Sequence, residues 1–175
     1  MPDKTMCQNR IIEWYDEYNL PLFKYILKMI KDAGQAEDLT QETFIKAYQY
    51  ILNDKEITYP KTFLYRTAHN LTIDFIRKKV PIQMVTEFFT RQEDPATSVE
   101  SIVEIKESSV ELYQALSTLK PTYRSVIILR KIDEFSVKET AQILSWSESK
   151  VKSTLSRGMK ALEKEMSKGG DIFGE

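Results

Sequence analysis

The chain is poor in the residues that bind metals and form disulfides: among 175 residues it has one cysteine, Cys7, and one histidine, His69. A single cysteine cannot form an internal disulfide, which is typical of proteins from the reducing cytosol. Structural zinc and iron–sulfur sites need several thiolate or imidazole ligands, so the composition argues against both. Since no nucleophile is evident as a partner for the imidazole, we predict that His69 is an exposed helix residue and not a catalytic base.

Long hydrophobic runs and glycine-rich loops are also missing. No apolar run approaches the roughly 18 residues of a membrane span, and residues 1–5 contain no hydrophobic secretory segment. With five glycines in the chain, no phosphate-binding loop is recognisable. Glu37, Asp38 and Glu42 are close in sequence, but no second acidic cluster supplies the other oxygen ligands of a two-metal nuclease. We therefore expect no metal, no cofactor and no enzymatic activity.

Charge is nearly balanced overall, with a formal net charge of -1, but it is unevenly distributed. Lys and Arg exceed Asp and Glu by four over residues 61–80 and by five over residues 120–164. The segment between them, residues 81–119, has an excess of five acidic residues. Basic blocks are often only solvated helix faces. Two of them separated by an acidic connector favour a nucleic-acid ligand.

Apolar residues recur at helical spacing through the N-terminal part, and turn signals divide it into three helices. The first contains Pro21, as a kink or a restart, and Gly34 is a plausible stop for it. The second is predicted over about residues 36–51. The third is predicted over about residues 60–79, with Pro60 in its first turn, where a missing N–H costs nothing.

The third helix has an apolar stripe and an unusual opposite face. The predicted buried stripe consists of Leu64, Ala68, Leu71 and Phe75. The other face combines aromatic, amide and cationic side chains, and comprises Thr62, Phe63, Arg66, Asn70 and Arg77, with Lys78 past the predicted end. Cations bind phosphate, aromatic rings stack on unpaired bases and amides read base edges, so this face suits single-stranded DNA. The plainer alternative is that these cations only stabilise the C-terminal end of the helix, where the helix dipole favours positive charge.

Residues 80–107 are acidic, contain Pro81 and Pro95, and show no sustained period. A segment of this length without a period is unusual inside a compact domain, so we interpret it as a linker. Four apolar residues in it, which could form a short helix or dock on a partner, are Met84, Val85, Phe88 and Phe89.

Helical periodicity returns from Ser108 and ends in a helix-turn-helix pattern. Ser136 and Glu139 form a capping box, and Ser147 can cap a second helix from Glu148 to about Met166. The polar face of that second helix is cationic and rich in hydroxyls, as major-groove recognition requires. It comprises Ser149, Lys150, Lys152, Ser153, Ser156, Arg157 and Lys160. Ordinary helical hairpins sometimes share this pattern.

Three blocks together resemble the extracytoplasmic-function (ECF) sigma factors, the minimal group of the bacterial sigma-70 family. Residues 36–47 are similar to region 2.2 of that family, residues 63–77 to its -10 recognition helix, and residues 136–162 to its region 4.2 helix-turn-helix. The resemblance implies an all-α fold with two small helical domains joined by a flexible linker. Region 2 would occupy residues 1–79, the linker 80–107, region 4 residues 108–166 and a tail 167–175.

The resemblance also implies roles for the faces described above. The face expected to bind core RNA polymerase comprises Asp38, Leu39, Gln41, Glu42 and Ile45. The face of the third helix, including Lys78, would contact the melted -10 element, and the loop at residues 53–59 would receive a flipped base. The polar face of the last helix would read the -35 element. An anti-sigma factor and a cytoplasmic location are implied as well.

The sequence departs from the family pattern at several positions. Phe63 stands where Trp is common, and Ser145 and Trp146 replace a usual glycine and aliphatic residue. Gly158-Met159 replaces a common Ala-Arg pair, which we interpret as a loss of helix propensity and of one phosphate contact. Thr154 replaces a frequent Arg.

The alternative to a sigma factor is a promoter-specific helix-turn-helix regulator. That function would leave the polar faces of the second and third helices unexplained.

Overall fold

A computed structural model of the chain describes residues 2–86 and 107–171, and every regular element in these ranges is helical. The chain divides into two compact units, Met1–Thr97 and Ser98–Glu175. The helices of the first unit are α1 (Lys4–Ile30), α2 (Ala33–Leu52) and α3 (Pro60–Thr86). Those of the second are α4 (Glu107–Thr118), α5 (Pro121–Ile127), α6 (Val137–Leu144) and α7 (Glu148–Asp171), with a π-helical turn (Ile128–Ile132) directly after α5. The all-α prediction with two helical domains is confirmed.

The helix boundaries differ from the predicted ones at two prolines and a glycine. α1 passes through Pro21 without restarting, because a proline removes only one amide donor and does not by itself end a helix. It ends at Ile30, where Lys31 adopts a left-handed conformation with φ of 56°. Gly34 is therefore not its stop. Instead Gly34 lies in the first turn of α2, which begins after its cap, Asp32.

α3 is longer than predicted. Its backbone continues through Pro81 to Thr86, so the segment predicted as linker from residue 80 begins as helix. Two of the four apolar linker residues, Met84 and Val85, lie in this last part of α3. The expected docking or short helix at Phe88 and Phe89 lies outside the described residues.

The core of the first unit forms around the middle of α1, which packs against α2 and α3. Its fully buried apolar side chains are Leu22, Tyr25, Ile26, Leu27 and Met29. Small residues let the other two helices come close, with Ala36 and Ala47 fully buried on α2 and Ala68 on α3. Thr40 and Thr43 are also buried, and each hydroxyl donates to the carbonyl four residues earlier.

The prediction that His69 is exposed is wrong. Only 8% of its surface is accessible, and its Nδ1 shares a hydrogen bond of 2.8 Å with the Tyr25 hydroxyl of α1. The inward face of α3 is accordingly shifted from the predicted stripe: Tyr65, His69 and Thr72 are buried beside Leu64 and Ala68. Leu71 and Phe75 are only half-buried. The spacing of apolar residues in the sequence cannot reveal a buried polar residue such as His69, because its hydrogen-bond partner lies on another helix.

The second unit is held together by hydrogen bonds of one arginine as well as by apolar packing. Arg124 of α5 donates to the carbonyls of Leu116, Ser117 and Leu119, at 3.1, 3.1 and 2.8 Å. Leu116 and Ser117 lie in the last turn of α4 and Leu119 directly follows it. At this end of a helix a cation is favoured by the dipole and the carbonyls need donors. The fully buried apolar residues nearby are Val126, Ile128, Leu129, Ile143 and Val151.

The Tyr25–His69 contact generates a prediction on pH and stability. Burial lowers the pKa of His69 from 6.5 to about 4. Between these pH values the unfolded chain binds a proton that the folded chain excludes. The contribution of His69 to the free energy of unfolding is therefore fully present above pH 6.5, and it is lost as the pH decreases toward 4. The full loss is about 3 kcal/mol.

The measurement is urea unfolding between pH 7 and 4.5, with His69→Gln as the control that cannot titrate. The parent should lose stability more steeply than the variant over this window. Because the chain has one histidine, its two imidazole C–H resonances are free of overlap with another histidine and also report the pKa in the folded chain. A midpoint near 6.5 would contradict the prediction.

Candidate functional site

The predicted polymerase-binding residues lie on α2, and four of the five share its outer face. Asp38, Gln41 and Glu42 are exposed, and Ile45 is 55% accessible. Leu39 is different: only 7% of its surface is accessible, so it belongs to the core of the unit and not to the outer face. A contact surface built from the other four residues has an acidic centre with an amide and one aliphatic group beside it.

A cleft of about 270 Å³ between α1 and α2 adjoins this outer face, and Gln41 lines both. Its α1 side carries Leu20, which is 56% accessible, and Tyr15, which is 41% accessible. No sequence signal distinguishes either residue as exposed, since apolar residues at helical spacing on α1 indicate core. The Tyr15 ring is held edge-on by Phe44 of α2, with centroids 5.0 Å apart.

The face of α3 predicted to contact DNA is largely exposed. Arg66, Asn70, Arg77 and Lys78 are exposed, whereas Thr62 and Phe63 are half-buried. The exposed groups supply three cations and one amide along successive turns of a single helix. Such a face can neutralise backbone phosphates and donate or accept hydrogen bonds at a base edge.

Phe63 is not a lone stacking ring. It packs on Tyr50 of α2 with ring centroids 4.8 Å apart, and the Lys55 ammonium lies 5.1 Å from the Tyr50 ring. Tyr59, at 74% accessibility, immediately precedes α3, and its carbonyl accepts a hydrogen bond from the Phe63 N–H. Sequence reasoning selected Phe63 and included Tyr59 as the last residue of the loop at 53–59. It missed Tyr50, because the Tyr50–Phe63 pairing crosses two helices. The common signal of the two tyrosines is aromatic residues flanking a loop that contains a lysine.

The helix-turn-helix is formed by α6 and α7, and local hydrogen bonds set its geometry. The Glu139 N–H donates to Ser136 Oγ at 3.0 Å, and that hydroxyl donates to the Glu139 carboxylate. Both contacts confirm the predicted start of α6. Ser145 ends α6 in a left-handed conformation with φ of 58°. The Lys150 N–H then donates to Ser147 Oγ at 3.1 Å, which confirms the predicted cap of α7.

All seven residues predicted to read the -35 element are exposed on α7: Ser149, Lys150, Lys152, Ser153, Ser156, Arg157 and Lys160. The inward side includes Val151, Thr154 and Leu162, while Leu155 is only half-buried. Thr154 is buried and is therefore not part of the exposed polar face.

Gly158 also faces inward, and the structure gives it a packing role that we did not predict. A Cβ atom at this position would lie 3.3 Å from Ile127 Cδ1 and 3.4 Å from Tyr123 Cβ, both on α5. The missing side chain therefore lets α7 approach α5 closely. The low helix propensity of Gly158 is thus accompanied by a role in packing.

Two cations on α7 are held by their neighbours. Lys150 Nζ lies 4.5 Å from the centre of the Trp146 ring. Arg157 Nε donates to the Ser153 carbonyl at 3.3 Å, one turn earlier on the same helix. Both cations remain exposed, so these contacts limit the conformations of the side chains without removing them from solvent.

The structure describes residues 2–86 and 107–171, and in these ranges no helix is long and apolar enough to cross a membrane. The same part of the chain contains no group of three or more His, Cys, Asp or Glu side chains that could hold a metal ion.

Comparison with known families gives two matches, in chain order. Residues 14–81 match Sigma-70 region 2, and residues 109–162 match Sigma-70, region 4. Among characterised proteins, the ECF RNA polymerase sigma factor SigX of Bacillus subtilis is 36% identical over 157 residues, covering 87% of this chain and 81% of SigX. SigW of the same organism is 32% identical over 169 residues, covering 91% of this chain and 90% of SigW.

Two solved structures share the fold. The sigma factor RpoE, crystallised with the anti-sigma factor NepR from Bartonella quintana, gives a TM-score of 0.67 at 22% identity, covering 89% of this chain and 97% of that one. CnrH, in complex with the cytosolic domain of CnrY, gives 0.67 at 20% identity, covering 91% of this chain and 89% of CnrH.

Proposed function

We propose that this chain, a member of the extracytoplasmic-function sigma factors of the sigma-70 family, binds its partners through three exposed helix faces. As a sigma factor it serves RNA polymerase in transcription initiation. One face binds the polymerase, and the other two bind the -10 and -35 promoter elements. The observation that carries the proposal is that each helix concerned buries one side within its own unit and leaves its predicted polar side exposed. We assign region 2 to residues 1–79, the linker to 80–107, region 4 to 108–166 and the tail to 167–175.

Core polymerase binds the outer face of α2. Asp38, Gln41 and Glu42 provide polar and charged groups suited to the rim of an interface, and Ile45 provides one aliphatic contact. The adjoining cleft, with Leu20 on its rim, offers apolar area for a side chain of the partner. Leu39 supports the face from within the core.

The -10 element binds α3 and the loop before it. Arg66, Arg77 and Lys78 contact phosphates, and Asn70 contacts a base edge. Phe63, supported by Tyr50, offers a ring on which an unpaired base stacks. The loop at residues 53–59 receives a flipped base.

The -35 element binds α7 in the major groove. Residues in the first turns of such a helix, including Ser149, Lys150 and Ser153, face base edges. Lys152, Ser156, Arg157 and Lys160 contact the backbone around them. The sigma factor RpoE, which has a similar fold, was crystallised with an anti-sigma factor, and we propose a partner of that class here, together with action in the cytoplasm.

The first prediction tests the polymerase surface. The double substitution Asp38→Lys and Glu42→Lys reverses two rim charges, so affinity for purified core polymerase should fall about tenfold or more. The measurement is binding of the full-length chain to core polymerase, with helical content checked by circular dichroism. The matched control is Glu13→Lys with Glu17→Lys, two exposed acidic residues of α1 in the same unit. If the α2 double variant binds core as well as the control does, the proposed surface is wrong.

The second prediction separates base reading from phosphate binding on α3. Asn70→Ala should reduce open-complex formation on some -10 sequences more than on others, because it removes a contact to a base. Arg77→Ala should weaken all sequences alike and lower the salt dependence by about one phosphate equivalent. Open-complex formation by the holoenzyme on a set of -10 templates measures both. Equal losses for both variants on every template would show that Asn70 reads no base.

A further inference from the structure

Trp146 lies at the centre of the turn between α6 and α7. The backbone holds it there, because its N–H donates to the Ala141 carbonyl at 3.0 Å and the flanking Ser145 and Ser147 end and begin the two helices. The indole is half-buried, and the Lys150 ammonium lies 4.5 Å from its ring centre. This distance is shorter than the 5.1 Å of the Arg10–Trp14 pair on α1.

The contact restricts Lys150 without neutralising it. A tryptophan face is the strongest aromatic partner for a cation, and a lysine ammonium has three donors on a flexible four-carbon stem. With one side of the ammonium against the indole, the remaining donors stay exposed on the first turn of α7. Fixing a flexible side chain before binding removes part of the entropy cost of binding.

We propose that Trp146 is a positioning residue that holds Lys150 for contact with the -35 element, an inference that rests on the proposed DNA-reading role of α7. Arg157, another exposed cation of α7, is instead held by the Ser153 carbonyl one turn earlier. The competing explanation is that the indole only stabilises the turn, independently of Lys150. Under that explanation the indole would affect folding, and its effect on DNA would not depend on Lys150.

The test uses the full-length chain with core polymerase on a pool of linear promoter templates randomised in the -35 and -10 segments. The parent first selects its preferred -35 sequences by transcription. A double-mutant cycle of Trp146→Leu and Lys150→Met is then measured on the most enriched template. Trp146→Leu should reduce holoenzyme affinity about two- to fivefold, and it should have little effect once Lys150 is Met.

Two variants sharpen the cycle. Trp146→Phe retains an aromatic face and should restore part of the affinity. Lys152→Met removes an exposed cation two residues away, and the effect of Trp146→Leu should persist in full in that background. An equal effect of Trp146→Leu in all three backgrounds would overturn the positioning role. A parent that selects no -35 sequence would instead overturn the proposed role of α7 itself, and this inference with it.

A second measurement leaves position 146 unchanged. In a Trp14→Phe chain, Trp146 is the remaining tryptophan, since the sequence has two. Lys150→Met should change its fluorescence, and should also remove the change seen when the selected promoter is added to the holoenzyme, after subtraction of the polymerase signal. Lys152→Met should leave both signals as in the parent. Identical spectra for the Lys150→Met and Lys152→Met chains would overturn the contact.

Discussion

Burial of the middle of α1 is the constraint on which the functional surfaces of the first unit depend. Its buried residues, from Leu22 to Met29, are the surface against which both α2 and α3 pack. Each of those helices must turn its small or apolar side toward α1, because a buried apolar side chain contributes about 1.5–3 kcal/mol. The acidic side of α2 and the cationic side of α3 are then left facing outward. The same packing that stabilises the unit therefore orients the surfaces that we propose bind polymerase and DNA.

The Tyr25–His69 hydrogen bond adds specificity to that packing. An apolar stripe alone would allow α3 to settle over Leu71 and Phe75, which are in fact half-buried. Placing an imidazole inside is costly unless its polar atoms are satisfied. Because the Tyr25 hydroxyl can satisfy Nδ1 at one rotation of α3, the pair selects that rotation. The position of Arg66 and Asn70 on the outer side follows from it.

The features that the sequence predicts well are local, and those that it misses are contacts between helices. Caps at Ser136 and Ser147 were predictable, because each rests on residues within four positions of each other. The helical content and the two-unit division follow from periodicity and from the change of character after α3. By contrast, the burial of His69 and of Leu39, and the Tyr50–Phe63 pair, depend on which helix lies opposite. Periodicity cannot supply that information.

Two residues that depart from the family pattern, Gly158 and Trp146, also show that the sequence alone does not reveal which groups a side chain contacts. Considered alone, Gly158 costs helix propensity and Trp146 is a large residue in a turn that commonly has an aliphatic one. In the structure, Gly158 is where α7 meets α5, and Trp146 lies beneath the Lys150 ammonium. On α3 the Phe63 ring packs on a second aromatic residue, whereas on α7 Lys150 and Arg157 are held by Trp146 and Ser153, which precede them in the chain. The side chains that we propose to bind DNA are thus restricted by different contacts on the two helices. Under that proposal, less entropy remains to be lost on binding.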